Sequence, residues 1–107
     1  MNASSRLPKG KAKLADLESV FRALAHGSRR HILLVLHFRG GAMTSSEIAS
    51  RFSCRWPTTT RHLRKLEQAG LVTVERKGRE SIYSLNHARL NAVAGDWLAV
   101  FGAAHRP

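Results

Sequence analysis

Six polar side chains share a segment that starts at Pro57: Thr58, Thr59, Arg61, His62, Arg64 and Lys65, with Thr60 beside them. Leu63 and Leu66 alternate with them at helical spacing and point to a core. Arginine presents a planar fork that can grip the major-groove edge of guanine. Threonine can donate or accept a hydrogen bond and can pack its methyl on that of thymine. A helix carrying such groups on its outer face fits the major groove of DNA. Farther along, Arg76, Lys77 and Arg79 surround Gly78, where cations can meet phosphates. Arg51, Arg55, Arg61, Arg64, Lys65, Arg76, Lys77 and Arg79 are opposed between 51 and 79 only by Glu67 and Glu75. That stretch therefore holds +6 of a total charge of +11 over 107 residues. The charge coincides with one structural unit, which favours DNA binding over a merely solvated basic face.

Such side chains need a frame, and the sequence supplies one. Leu14, Leu17, Val20, Phe21 and Leu24 recur at three- and four-residue spacing and predict a helix from Ala12. Gly27 is expected to break it and Ser28 to cap the next helix. Residues 29–38 are apolar nearly all round, as in a helix buried mid-domain, and Gly40 and Gly41 end it. Thr44-Ser45-Ser46-Glu47 is a capping box before a short helix with Ile48, Ala49 and Phe52 inward. Pro57 suits a helix start, because its missing N–H is not needed there. Gly70 predicts a left-handed end to that helix. Two alternating runs, 72–76 and 81–85, flank Lys77-Gly78-Arg79 and predict a hairpin. Asn86 can cap a last helix with Leu90, Val93, Trp97, Leu98 and Phe101 in one stripe.

The order predicts a mainly α fold with a small β-hairpin: a winged helix-turn-helix of five helices and a two-stranded wing. Residues 1–11 are expected to be a flexible basic tail, with a DNA-groove arm as the other reading. Residues 12–103 are expected to form one DNA-binding and dimerisation domain. Thr44, Ser45, Arg55 and Trp56 join the predicted DNA contacts at the helix starts. The terminal stripes, Leu14, Leu17, Val20 and Phe21 with Leu90, Val93, Trp97, Leu98 and Phe101, are expected to pair across a two-fold axis, because a small domain cannot bury both.

Other function classes find less support. No nucleophile, base and orienting acid stand at suggestive spacing, and no glycine-rich phosphate loop is present, so neither catalysis nor a cofactor is expected. A protein-interaction module on the same fold predicts few cations over 55–79, the reverse of what stands there. Non-specific nucleic-acid binding is the remaining alternative. The longest aliphatic run, Ile32 to Leu36, is far short of a membrane span. Arg6, Lys9, Lys11 and Lys13 are followed by no signal-peptide core, which predicts a cytosolic protein without a membrane partner.

The strings LAHGSRRHILLVL (24–36), TSSEIASRF (44–52), PTTTRHLRKLEQAGLV (57–72) and ERKGRESIYSLN (75–86) resemble the arsenic-repressor (ArsR/SmtB) family of winged-helix repressors. The resemblance implies a homodimer that binds a palindromic operator in double-stranded DNA and represses transcription, often of its own operon. It also places His62 in the recognition helix, contacting phosphate or holding that helix to its neighbour.

The chain departs from the family at its sensing motifs. The cysteine pair of one family metal site is absent from SSEIASRF, and the last helix offers only Asp96 and His105, with His87 before it. Metal sites need three or four converging donors, so no metal is expected, and the inducer stays unknown. His26, His31 and His37 read as packed or surface side chains. Arg55 and Trp56 stand where a small capping residue and a polar residue are usual. Trp56 is either a hydrophobic staple or an exposed ring against the DNA backbone. Cys54, the lone cysteine, lies beside Arg55 and near Arg51. Cations lower a thiol pKa, so a redox-sensing thiol is one reading and a partly buried small side chain the favoured one.

Overall fold

The computed structural model describes residues 14–52 and 56–104. The 1–11 tail, Cys54, Arg55 and His105 lie outside them. Helix α1 spans 14–24 and only residues 25 and 26 separate it from α2, Gly27–Phe38. Two arginines hold this tight corner. Arg29 Nε donates to the Ala23 carbonyl at 2.7 Å, and Arg30 donates to the Leu24 carbonyl at 2.7 Å. They satisfy acceptors that the end of α1 leaves without helical partners. Arg29 is 7% exposed, so this cation belongs to the fold and not to any outer face. Ser28 does not cap α2. His26 holds the cap position without a side-chain bond, and Gly27 is already helical.

Helix α2 buries Ile32, Leu33, Val35 and Leu36, yet Leu34 is 55% and Phe38 78% exposed, so it is not enclosed all round. Gly40 and Gly41 both take positive φ, 94° and 101°, and turn the chain into a short strand, β1, Ala42–Thr44. Helix α3, Ser45–Arg51, follows with the expected capping box: Glu47 N–H donates to Thr44 Oγ1 at 3.1 Å, and Thr44 N–H to Glu47 Oε1 at 2.8 Å. Ile48 is buried and Phe52 half-buried, whereas Ala49 is exposed, contrary to expectation.

Helix α4 is Trp56–Gln68, with Pro57 in its first turn. Gly70, at φ 78°, ends it, and Leu71 N–H reaches back to the Leu66 carbonyl at 2.9 Å. Strands β2, Val72–Lys77, and β3, Glu80–Leu85, form the hairpin. Gly78, at φ 61°, opens a two-residue turn, since Lys77 pairs with Glu80. Glycine first with positive φ is the type II′ pattern that suits twisted hairpins.

The sheet has three strands in the order β1-β3-β2, where two were expected. Strand β1 pairs antiparallel with β3, Ala42 opposite Ser84 and Thr44 opposite Ile82. Three residues carry no readable period, and their pairing partner lies about forty positions away, so only tertiary structure reveals the strand.

Helix α5 runs on through His87–Leu90, a π-wound turn at Asn91–Gly95, and Asp96–Ala104. Asn86 caps it by accepting the Arg89 N–H at 3.1 Å. Arg89 reaches back to the Ala69 carbonyl at 3.2 Å and to Asp16 at 3.2 Å, joining α5 to the end of α4 and to α1. The core gathers residues from every helix and from β1 and β2, with Val20, Leu36, Ile48, Leu66 and Leu71 fully enclosed.

Candidate nucleic-acid interface

Helix α4 turns Thr59, Leu63 and Leu66 inward, at 1%, 1% and 0% exposure. These positions share one helical face. Thr59 therefore leaves the set of predicted DNA contacts: it packs in the core. Thr60 is half-buried, and its hydroxyl oxygen is enclosed with no hydrogen-bond partner among the described residues. Thr58, Arg61, Arg64 and Lys65 remain on the exposed face.

His62 lies between these faces. It is half-buried, and its enclosed Nδ1 has no hydrogen-bond partner among the described residues. Its ring centroid is 6.1 Å from that of His26. Burial, then the charges of Arg29, His26 and Arg61, hold its pKa below the ordinary 6.5. Such an imidazole is neutral at pH 7. This environment fits a residue that seats α4 against its neighbours better than a cation for phosphate.

Trp56 is 37% exposed and borders a shallow groove of about 190 Å³ with Ser45, Ser46 and Ala49. Thr44 and Ser45 are half-buried and already engaged, Thr44 in the cap of α3 and Ser45 with the carboxylate of Glu80.

On the hairpin, Arg76, Lys77 and Arg79 are all exposed. Glu80 was not among the predicted site residues. It accepts hydrogen bonds from Ser45 Oγ at 2.8 Å and Ser46 Oγ at 2.7 Å. Its spacing of 34 and 35 residues from those serines gives no local signal.

The predicted dimer residues divide. Leu14, Trp97, Leu98 and Phe101 are 66%, 44%, 57% and 52% exposed, and Val100 joins them at 63%. Leu17, Phe21 and Leu90 are half-buried. Val20 and Val93 are 0% and 4% exposed and pack in the protomer's own core, which removes both from the pairing face. The Phe21 ring meets Trp97 edge-on at 5.3 Å, and Trp97 lies 4.8 Å from Phe101, so one aromatic row joins α1 to α5.

Among the described residues, no three His, Cys, Asp or Glu converge as a metal would require. His37 Nδ1 and His87 Nε2 stand 3.1 Å apart, as a pair. Among the same residues, no helix is long and apolar enough to cross a membrane.

Known proteins share this architecture. Residues 24–75 match a helix-turn-helix domain family. The chain is 40% identical over 70 residues to the transcriptional repressor SdpR of Bacillus subtilis, covering 65% of this chain and 76% of that protein. An ArsR-like transcriptional regulator from Rhodococcus sp. RHA1 superposes with a TM-score of 0.72 at 34% identity, over 87% of this chain and 85% of the other. A homodimeric winged helix-turn-helix DNA-binding domain from Mycobacterium bovis superposes with a TM-score of 0.68 at 26% identity, over 91% and 87% of the two chains.

Proposed function

The chain belongs to the ArsR family of transcriptional regulators, and from that premise we propose that it is a homodimeric, sequence-specific DNA-binding repressor of its own or a neighbouring operon. One observation carries the reading. The cations of α4 and of the hairpin, Arg61, Arg64, Lys65, Arg76, Lys77 and Arg79, are all exposed, while Arg29, outside that unit, is consumed by backbone carbonyls.

In this reading α4 enters the major groove. Thr58 and Arg61, in its first turns, meet base edges, while Arg64 and Lys65 meet phosphate. Arg76, Lys77 and Arg79 form the wing's phosphate contacts. Two protomers pair through α1 and α5 and read the halves of a palindromic operator, about one DNA turn apart. The regulator works in the cytosol, where its operator is.

The test is direct. Duplex fragments are selected from random sequence by the purified protein, and the affinity for the selected site is compared with that for random duplex as salt rises. A palindromic motif with a large affinity ratio at moderate salt is the expected outcome. Equal affinity for both duplexes defeats the proposal in favour of non-specific binding.

A further inference from the structure

A single carboxylate ties the hairpin tip to the helix-turn-helix unit. Glu80 is the first residue of β3, directly after the Gly78-Arg79 turn. Its Oε1 accepts from Ser45 Oγ at 2.8 Å and from the Ser46 N–H at 3.4 Å, and its Oε2 accepts from Ser46 Oγ at 2.7 Å. The Ser81 N–H lies 3.5 Å from Ser45 Oγ, on the same side. Hydrogen bonds from Ser46 and Ser45 hold the Glu80 carboxyl below its usual pKa range, so it stays ionised at neutral pH.

On charge alone, an acid is out of place here. It stands beside Arg79 and opposite Lys77, within the surface proposed to face phosphates, and it weakens the local positive field. The strand pairing supplies a different role. Strand β1 runs along β3 only as far as the Thr44–Ile82 pair. Ser81 and Glu80, the two residues leading to the tip, lie beyond the end of that ladder. The Glu80 carboxylate takes over at that point and fastens the tip to the first residues of α3.

We propose that Glu80 is a positioning residue for DNA binding: by gripping Ser45 and Ser46 it fixes the wing tip against α3 and so sets where Arg79 stands relative to α4. The proposal rests on the DNA-binding reading above. Glu80 itself touches no DNA. It acts through the two serines, and its charge opposes binding while its geometry supports it. These opposite signs make the role measurable.

The experiment compares Glu80→Ala, Glu80→Gln and Arg79→Ala, and the Arg79→Ala/Glu80→Ala pair, in the full chain. Fluorescence anisotropy follows binding to the selected operator and to random duplex across a salt series. Glu80→Ala is expected to weaken operator binding about fivefold, although it removes a negative charge, and to weaken binding to random duplex in step, because Arg79 meets phosphate on either. Gln keeps the side-chain shape and hydrogen-bonding groups for both serines, so Glu80→Gln is expected to stay within about twofold of wild type on the operator. Arg79→Ala is expected to cost less in the Glu80→Ala background, because the tip is already misplaced.

The tether is overturned if Glu80→Ala binds the operator as tightly as wild type or tighter, which is the result for a charge alone. It is also overturned if Arg79→Ala costs the same in both backgrounds. Circular dichroism checks the fold. If Glu80→Ala does not fold, the Ser45→Ala/Ser46→Ala variant removes the same contacts from the other side and gives the same readouts. A wild-type protein that does not distinguish the two duplexes defeats the DNA reading itself. A discriminating wild type with an unaffected Glu80→Ala defeats only the tether.

Discussion

Arg61 and Arg79 are both exposed cations, and the proposed DNA-binding reading gives them different work. Arg61 sits in the second turn of α4, the helix proposed to enter the major groove, and Arg79 sits at the hairpin tip. Arg61→Ala is expected to cost about 1–3 kcal/mol of operator affinity and to relax preference at one base position. Arg79→Ala is expected to weaken all sequences alike and to lower the salt slope by about one. Binding measured on single-base operator variants separates the two, and identical behaviour refutes the division. His62 belongs to this scale too. Its folded pKa lies below the ordinary 6.5, so the unfolded chain takes up the proton first. Its share of stability is therefore complete above 6.5 and is lost as pH falls toward the folded value. Thermal melts from about pH 7 to about pH 5 are expected to show a smaller fall in Tm for His62→Gln than for wild type. Parallel curves count against it. Thr59 teaches the limit of residue-level reading: its type suits a base contact, and only its burial disqualifies it.

At the scale of elements, local chemistry sets several boundaries. The capping box that starts α3 is legible in Thr44-Ser45-Ser46-Glu47 and forms with both its hydrogen bonds. Thr44→Ala is expected to cost about 1 kcal/mol in urea denaturation, with no change in m-value. A loss within error of zero removes the cap as a source of stability. Glycines 40, 70 and 78 likewise mark turns where φ is positive. Where local chemistry misleads, a tertiary contact has replaced it. Ser28 is a good capping residue, but α2 begins two residues earlier than such a cap would start it, with His26 at the cap position, and the backbone of the preceding corner is held by Arg29 and Arg30. Strand β1 is invisible locally, since β3 is what makes those residues a strand.

At the scale of the whole molecule, two apolar stripes share their surface between a protomer core and an outer face. Phe21, Trp97 and Phe101 form the aromatic row between α1 and α5, and Leu98 and Val100 extend the exposed part. Leu98→Glu is expected to yield a folded monomer by sedimentation and to lose about 10-fold or more in operator affinity, because a lone half-site reader forfeits the second set of contacts. Val20→Ala acts differently. Val20 is fully buried in its own protomer, so its truncation is expected to cost about 2 kcal/mol of stability while the dimer persists. A Leu98→Glu protein that sediments as a dimer moves the pairing face elsewhere.

The sequence by itself determined the order of the helices and the hairpin, the family, and the helix and hairpin that carry the exposed cations. Periodicity, caps, turn glycines and charge density are local properties, and local properties survive in a linear string. Tertiary structure alone decided which member of each stripe points where. It buried Thr59, Val20 and Val93, spent Arg29 on the end of α1, and added a third strand to the wing. It also brought Glu80 to Ser45 and Ser46 across 34 and 35 residues. A hydrogen bond depends on distance and direction in space, and neither is written in the spacing of residues along the chain.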